Sequence, residues 1–372
     1  MDAEMRPGET VYTSFNAGEQ PRLAVRAAGR GLAVERDGTV LATLLCEDES
    51  RRLAFRPGAA EPVTLVHAAL AGLEAFFALH PDRATVGLAS MDWAPVADTL
   101  LGRGAALAGP GGMLTARASL LWQLPELWLP SPTAPYPQHL VMTGERRHPL
   151  RPMKPTGMVY ARFIPWLGGV LSLRAATVEA DAARLNRWMN DPRVAAVWAE
   201  EGDLDKHRAY LGGLIADPHM LPLIVSFNGE PFGYFEVYWA KENRLGPFYD
   251  AQDYDRGWHV LIGEDSFRGR PWVTAWLPSL MHYIFLDDCR TERIVGEPRA
   301  DHQQQIRNLD KAGFAKIKEF DFPHKRALLV MLLRERFFGD RLWQPAVAPA
   351  AARQGVRSPS PPRHDRHTTS GR

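Results

Sequence analysis

The chain predicts an α/β (α+β) protein built as two units, a smaller N-terminal domain followed by a larger one. Three observations carry this expectation. Alternating apolar segments flank Arg36-Asp37-Gly38, apolar residues recur at helical spacing from Pro62 to Leu79, and a buried-strand pattern over Trp258–Ile262 runs through a Gly/Arg turn into a helix starting at Pro271. At 372 residues the chain is long enough for two separate cores.

The first unit is expected over residues 1–125. Its segments Gly31-Leu32-Ala33-Val34 and Thr39 to Leu45 read as hairpin strands, with Asp37-Gly38 supplying the turn. Val63, Val66, Leu70, Leu73, Phe76 and Phe77 give the following helix an apolar stripe. No catalytic pattern occurs there. Residues 126–155 are dense in proline, which interrupts both helices and ladders, and are expected to form an ordered extended connector.

The second unit is expected over residues 156–343. Val170–Arg174 reads as its first strand, and Thr177 can cap a helix that Asp191-Pro192 halts. A second helix spans Asp205–Ile215. Leu221–Phe227 and Phe232–Tyr238 pair around Asn228-Gly229, and a polar loop leads into Trp258–Ile262. After the Pro271 helix come a strand at Arg293–Glu297, a helix over Asp301–Lys311 ending at Gly313-Phe314, and last strands including Ala327–Leu333. The tail, 344–372, is too poor in apolar residues to fold.

Bulk properties narrow the function. The formal net charge of +1 gives no reason to expect nucleic acid or a membrane surface as partner. The two cysteines, Cys46 and Cys289, lack metal-type spacing and fit a reducing compartment. No secretory leader pattern opens the chain, and no uninterrupted apolar run approaches membrane-spanning length, so a cytoplasmic protein is expected.

The turn Gly263–Arg270 carries the most chemistry. A diphosphate needs backbone N–H groups it can approach closely, which glycine permits, and guanidinium groups for charge-assisted bonds. The competing reading is an ordinary loop with surface arginines. His259 shares a strand face with Leu261, while Trp258, Val260 and Ile262 take the other. It is either a core imidazole satisfied by a carbonyl or a proton-transfer group. Asp301, with Gln304 three positions later, suits a helix N-cap and could also face a substrate. Tyr238, Trp239, Lys241 and Glu242 either contact a zwitterionic substrate or end a strand in a solvated loop. No metal-ligand cluster is evident by spacing.

Residues 145–340 resemble the Gcn5-related N-acetyltransferase superfamily, and within it the siderophore-biosynthesis branch. The resemblance is carried by Trp188-Met189-Asn190-Asp191-Pro192-Arg193-Val194, Tyr238-Trp239-Ala240-Lys241-Glu242, Asp253 to His259, His282 to Asp288, Glu297-Pro298-Arg299-Ala300-Asp301 and Asp321 to Ala327. It implies a mixed, centrally splayed sheet flanked by helices and acetyl-CoA as co-substrate, with no metal. It also implies transfer of an acetyl group to the hydroxylated side-chain amine of N6-hydroxylysine, giving a hydroxamate. N5-hydroxyornithine with acetyl or a longer acyl group, or a protein or small-amine acceptor, stays open, as does a non-catalytic CoA-binding scaffold.

By the same resemblance, His259 and Asp301 fall where that branch contacts its substrate. Gly263 to Arg270 falls on the CoA pyrophosphate loop, so the candidate cofactor-binding residues are Leu261, Ile262, Gly263, Arg268, Gly269, Arg270 and Pro271, while Tyr238, Trp239, Lys241 and Glu242 stay the candidate substrate-binding residues read from the strand end. The chain departs from the superfamily pattern in following Arg268-Gly269 with Arg270-Pro271-Trp272, and in placing His302 where asparagine is usual. An N-hydroxyamine is a weak base and already nucleophilic near neutrality, so His259 and Asp301 are expected to orient it and accept its proton. A backbone N–H near Leu261 is expected to polarise the thioester. Association with a siderophore synthetase or an amine hydroxylase is a further implication.

Overall fold

The computed structural model describes residues 10–14, 22–47, 51–322 and 325–345; the expected tail lies almost wholly outside them. The N-terminal half holds β1 (Thr10–Ser14), β2 (Leu23–Ala28), β3 (Gly31–Arg36), β4 (Thr39–Glu47), β5 (Arg52–Pro57), α1 (Pro62–Leu79), β6 (Thr85–Leu88), α2 (Ser90–Trp93), α3 (Ala97–Gly102), β7 (Ala106–Ala108), β8 (Leu114–Arg117) and α4 (Ala118–Leu121). The C-terminal half holds β11 (Met158–Ile164), β12 (Gly169–Ala175), α5 (Val178–Met189), α6 (Pro192–Trp198), α7 (Leu204–Ala216), β13 (Met220–Phe227), β14 (Glu230–Trp239), β15 (Arg256–Ile262), α8 (Arg270–Asp287), β16 (Arg293–Gly296), α9 (Gln303–Lys311), β17 (Ala315–Phe322), β18 (Lys325–Leu333) and α10 (Arg334–Gly339).

Local chemistry accounts for the turns and caps. Asp37 (φ 50°) and Gly38 (φ 79°) turn β3 into β4, and Asn228 (φ 49°) and Gly229 (φ 86°) turn β13 into β14, both left-handed pairs that match strand twist. Thr177 caps α5 by accepting from Ala180 N–H. Asp191 does more than stop α5. Its carboxylate accepts from Arg193 N–H and, with Pro192 in the first turn, starts α6.

The two halves repeat one plan. The first sheet runs β1-β2-β3-β4-β5-β6-β8-β7 and the second β11-β12-β13-β14-β15-β16-β18-β17, the same order. In each, one neighbouring pair is parallel, β5–β6 and β15–β16, and holds only two residue pairs before the strands part. An 18-residue helix, α1 or α8, supplies the crossover. Helices α5 to α7 have no counterpart in the first half, where Gly29 and Arg30 join β2 to β3 directly.

The partings differ. Beyond Leu53↔Leu88, the indole of Trp93 fills the gap: it is fully buried, donates to Leu53 O at 2.8 Å and stacks on Phe55 at 4.8 Å. Beyond Gly257↔Val295 the gap stays open as a cleft of about 320 Å³.

One core joins the halves. Trp122 stacks on Trp343 at 5.1 Å, Tyr12 meets Phe163 edge-on at 5.0 Å, and His282 Nε2 lies 2.6 Å from Trp122 O. Helix α1 is long and apolar enough by composition to cross a membrane, although His67 and Glu74 interrupt its apolar run, and Leu70, Leu73 and Phe76 are fully buried beneath the first sheet. On its inner face Glu74 accepts from Tyr12 (2.8 Å), Ser14 (2.6 Å) and Trp128 (3.1 Å). Burial raises its carboxyl to about 7 despite those donors and the nearby Arg162 charge.

The stretch expected to be an extended connector contains a hairpin, β9 (Leu140–Thr143) with β10 (Arg146–Pro149). Its prolines avoid the ladder interior, Pro149 standing at the end of β10, and Gly144 takes the left-handed turn position at φ 59°. Trp128 and Leu129, assigned to that stretch, belong to the shared core.

Candidate active site

Strand β15 sets the site by alternation. His259 and Leu261 face α5 to α7, where Leu261 packs with Trp188 and Tyr234. Trp258, Val260 and Ile262 face the core that α8 closes. Glu236 stands opposite His259 on β14. His259 Nδ1 lies 2.8 Å from Glu236 Oε2 and Nε2 lies 3.2 Å from Glu297 Oε1, so one imidazole joins two carboxylates. Tyr210 and Tyr234 donate to Glu236 Oε1 at 2.5 and 3.1 Å, and Tyr238 donates to Glu297 Oε2 at 3.0 Å.

Burial alone would lower the His259 pKa, but the hydrogen bonds to Glu236 and Glu297 and their charges outweigh it. They raise the ring from 6.5 to about 9. Burial pushes Glu297 up, and His259, Lys325 and Tyr238 together pull it down to about 2. At neutral pH the ring is therefore an imidazolium held between carboxylates, a donor at both nitrogens. Its side chain is about a quarter exposed (24%), whereas both carboxylates are buried.

Gly257 makes this arrangement fit. A Cβ there would lie 2.1 Å from the Tyr238 ring, so only glycine lets that ring cross β15 and reach Glu297. Tyr238 lies 5.0 Å from the His259 ring, placing this predicted residue beside the imidazole.

The cleft opens where β15 and β16 part. Gly263 N–H bonds Phe232 O, so, by the alternation of antiparallel pairs, Leu261 and His259 also turn their backbones toward β14. Val260 and Ile262 turn theirs into the cleft, where Trp198 Nε1 takes Val260 O (3.3 Å) and Arg193 takes Ile262 O (3.0 Å). The cleft-facing N–H nearest His259 is thus that of Val260, not the expected Leu261. Val197, Trp276, His302 and Asn308 complete the walls.

At the cleft end, Gly263 serves packing: a Cβ there would lie 2.2 Å from the Trp188 ring, whose Nε1 donates to Glu264. Gly269, at φ 91°, precedes α8, whose first turn carries Arg270 and Pro271. Arg268 and Arg270 are exposed there. Of the predicted segment, Leu261, Ile262 and Arg268 line the cleft, whereas Gly263, Gly269, Arg270 and Pro271 are not among its lining residues.

Other predicted residues lie elsewhere. The Asp301 carboxylate is exposed and pairs with Arg299 at 2.9 Å rather than with His259, and His302, not Asp301, caps α9 by accepting from Gln305 N–H. Trp239 follows Tyr238 by one position and so takes the opposite face, sandwiched between the guanidinium groups of Arg151 (4.1 Å) and Arg256 (4.0 Å). Lys241 pairs with Asp253. Glu242 is buried beneath the β9–β10 hairpin, bound at both oxygens by Arg151 (2.5 and 2.8 Å) with His148 and His219 at 2.9 and 3.3 Å. These two histidines and Glu242 cluster like metal ligands, a grouping that spacing along the sequence did not reveal, and Arg151 pairs with the same carboxylate.

A mixed sheet splayed at its one parallel pair, with backbone amides facing the gap and a Gly/Arg turn at a helix start, defines an acyltransferase architecture. Residues 177–322 match the family model described as an acetyltransferase (GNAT) domain, and the chain belongs to that family. Among curated proteins, it is 45% identical over 224 residues to the N(6)-hydroxylysine O-acetyltransferase of Escherichia coli, covering 60% of this chain and 71% of that one. It is 47% identical over 195 residues to an N(5)-hydroxyornithine:cis-anhydromevalonyl coenzyme A-N(5)-transacylase of Beauveria bassiana (strain ARSEF 2860), covering 51% of this chain and only 43% of that one. Among solved structures, aminoglycoside acetyltransferase AAC(6')-Ib in complex with coenzyme A aligns at 26% identity over 46% of this chain and 99% of that one, with a TM-score of 0.42.

Neither Glu236 nor Glu297 was singled out from sequence as a site residue. A signal existed for Glu236, the one carboxylate inside the apolar and aromatic run Phe232–Trp239. Glu297 stood in the run Glu297-Pro298-Arg299-Ala300-Asp301, immediately after the last residue of β16, where Asp301 drew the assignment instead.

Proposed function

We propose that the chain transfers an acetyl group from acetyl-CoA to the hydroxylated side-chain amine of N6-hydroxylysine, forming a hydroxamate in siderophore biosynthesis. The observation that carries the reading is the Glu236–His259–Glu297 bridge, whose imidazole stands between the cleft-lining Trp258 and Val260 in sequence and 6.4 Å from the ring of Trp198, another lining residue. The likeness to an enzyme named for N(6)-hydroxylysine supports it. The pantetheine arm runs along Val260 and Ile262, and the diphosphate sits at Arg268, Gly269 and Arg270, where α8 offers free N–H groups. Pro271 withdraws one donor, which the Arg270 guanidinium replaces.

The acceptor hydroxyl inserts at the longer of the two imidazolium bonds, accepting from His259 Nε2 and donating to Glu297. Its nitrogen then attacks the thioester carbon while Val260 N–H holds the carbonyl oxygen. The ammonium of the tetrahedral adduct is acidic, so a weak base suffices. Glu297, relieved of its bond to His259, takes that proton, the C–S bond breaks, and the leaving thiolate is protonated in turn. No covalent enzyme intermediate forms. Asp301, exposed and paired with Arg299, takes no part in this scheme.

A second reading, N5-hydroxyornithine as acceptor with acetyl or a longer acyl group, is favoured by the names of several relatives, among them the transacylase of Beauveria bassiana. Association with a siderophore synthetase or amine hydroxylase, and a cytoplasmic setting consistent with the two free cysteines, belong to the same proposal.

The test is thiol release from acetyl-CoA with N6-hydroxylysine, N5-hydroxyornithine, lysine and ornithine, with the product assayed for ferric-hydroxamate colour. Transfer to N6-hydroxylysine with colour is expected. Release without colour would place the acetyl group on oxygen, and equal use of lysine would overturn the reading.

A further inference from the structure

Arg244 lies in the loop between β14 and β15 and belongs to none of the interactions that hold His259 in place. Its side chain is 55% exposed, yet its guanidinium stands 3.8 Å from the buried Oε1 of Glu297, the same oxygen that faces His259 Nε2. Among the described residues it donates no hydrogen bond within 3.5 Å, and its guanidinium also faces the ring of Phe322, at 5.8 Å. Lys325 approaches Phe322 too, at 5.5 Å, and ties its ammonium to Glu297 O at 2.7 Å. Burial and the Arg244 and Arg299 charges lower the Lys325 pKa against the pull of Glu297.

The charges around the imidazole do not cancel. His259, Arg244 and Lys325 supply three positive groups against the carboxylates of Glu236 and Glu297. Tyr210, Tyr234 and Tyr238 are neutral, their hydroxyls pushed upward by burial and by those same carboxylates. One negative charge is missing on the solvent side, where Arg244 keeps its donors unused. A guanidinium in that position recognises a carboxylate by two parallel N–H···O bonds.

We propose that Arg244, supported by Lys325, binds the α-carboxylate of the acceptor and so selects a hydroxylated amino acid over the corresponding hydroxylated diamine. The inference rests on the proposed acceptor class and deepens it. With the carboxylate held at Arg244 and the N–OH group at His259, the spacing between the two ends measures the side chain, and a decarboxylated acceptor retains only the second anchor.

The experiment compares N6-hydroxylysine with N-hydroxycadaverine, its decarboxylated counterpart, in the full-length chain, by calorimetric binding in the presence of CoA and by acetyl transfer. Wild type is expected to bind N6-hydroxylysine more tightly. Arg244→Gln should weaken that binding and raise its KM roughly tenfold to a hundredfold, the range for hydrogen bonds to charged groups. With N-hydroxycadaverine the loss should be several-fold smaller, since it reads only the missing charge beside Glu297, and Arg244→Lys should restore part of the N6-hydroxylysine loss. Equal binding of the two acceptors by wild type, or equal weakening of both by Arg244→Gln, overturns the carboxylate site. A binding preference that follows Arg244 without acetyl transfer to either acceptor keeps the anion site and overturns the reaction instead.

Discussion

His259 Nδ1 sits 2.8 Å from Glu236 Oε2, across adjacent antiparallel strands, and that bond sets the charge of the ring. With the pKa raised from 6.5 to about 9, the protonated ring is the form that the proposed mechanism uses. The kcat/KM for acetyl transfer is therefore expected to hold through neutrality and fall above about pH 9. The stability contribution has the same sign. It is fully present below 6.5 and lost as pH rises through about 9. His259→Gln should remove both dependences, measured by pH–rate profiles and by thermal melts across that window. A rate that rises through pH 9 would contradict the imidazolium role.

Glu297 and Asp301 are separated cleanly by substitution. Glu297→Gln should cut turnover by roughly a hundredfold or more, because it removes the proton acceptor and leaves the imidazolium facing an amide. Asp301→Ala breaks only an exposed pair with Arg299 and should change turnover by no more than about threefold. Steady-state kinetics with a fixed saturating donor make the comparison.

Gly257→Ala tests the crossing of Tyr238 over β15. The added methyl collides with the ring at 2.1 Å, and overpacking of this kind costs about 1–3 kcal/mol. Displacing Tyr238 also takes a donor from Glu297. Loss of turnover with little change in CoA affinity is expected, read by kinetics beside calorimetric CoA binding.

Glu74 predicts a pH effect far from the site. Its folded carboxyl is raised from 4.5 to about 7, so the folded state keeps a proton that the unfolded state gives up. Stability should thus fall as pH rises from about 4.5 to about 7, by roughly 3 kcal/mol in all, and level off above. Glu74→Gln should flatten this slope in chemical denaturation run across that range.

Much of the fold was legible because its signals are local. Asp37-Gly38, Asn228-Gly229, Thr177 and Asp191-Pro192 each dictate backbone geometry over two to four residues, and the elements beside them form as expected except α6, which Asp191-Pro192 starts where only a stop was expected. β11 and the β9–β10 hairpin were not legible, since the proline-rich segments beside them mask strands that partners impose from outside. His259 could be placed on its strand face by alternation. Its partners could not be assigned, because Glu236 and Glu297 lie 23 and 38 residues away and meet it only through sheet register. Trp239 was grouped with Tyr238 by adjacency, the one relation that a strand turns into opposition, and Glu242 lies past the end of β14, where alternation no longer applies.

The indole of Trp93 has a stoichiometric consequence. Among the described residues, a polypeptide that carries the same sheet plan twice has one open parting for the proposed thioester, since the twin is stoppered by an aromatic ring bonded to Leu53 O. Titration with a non-reactive coenzyme A analogue should saturate at one equivalent per polypeptide, leaving the leading half as a buttress that shares its interior with the working half.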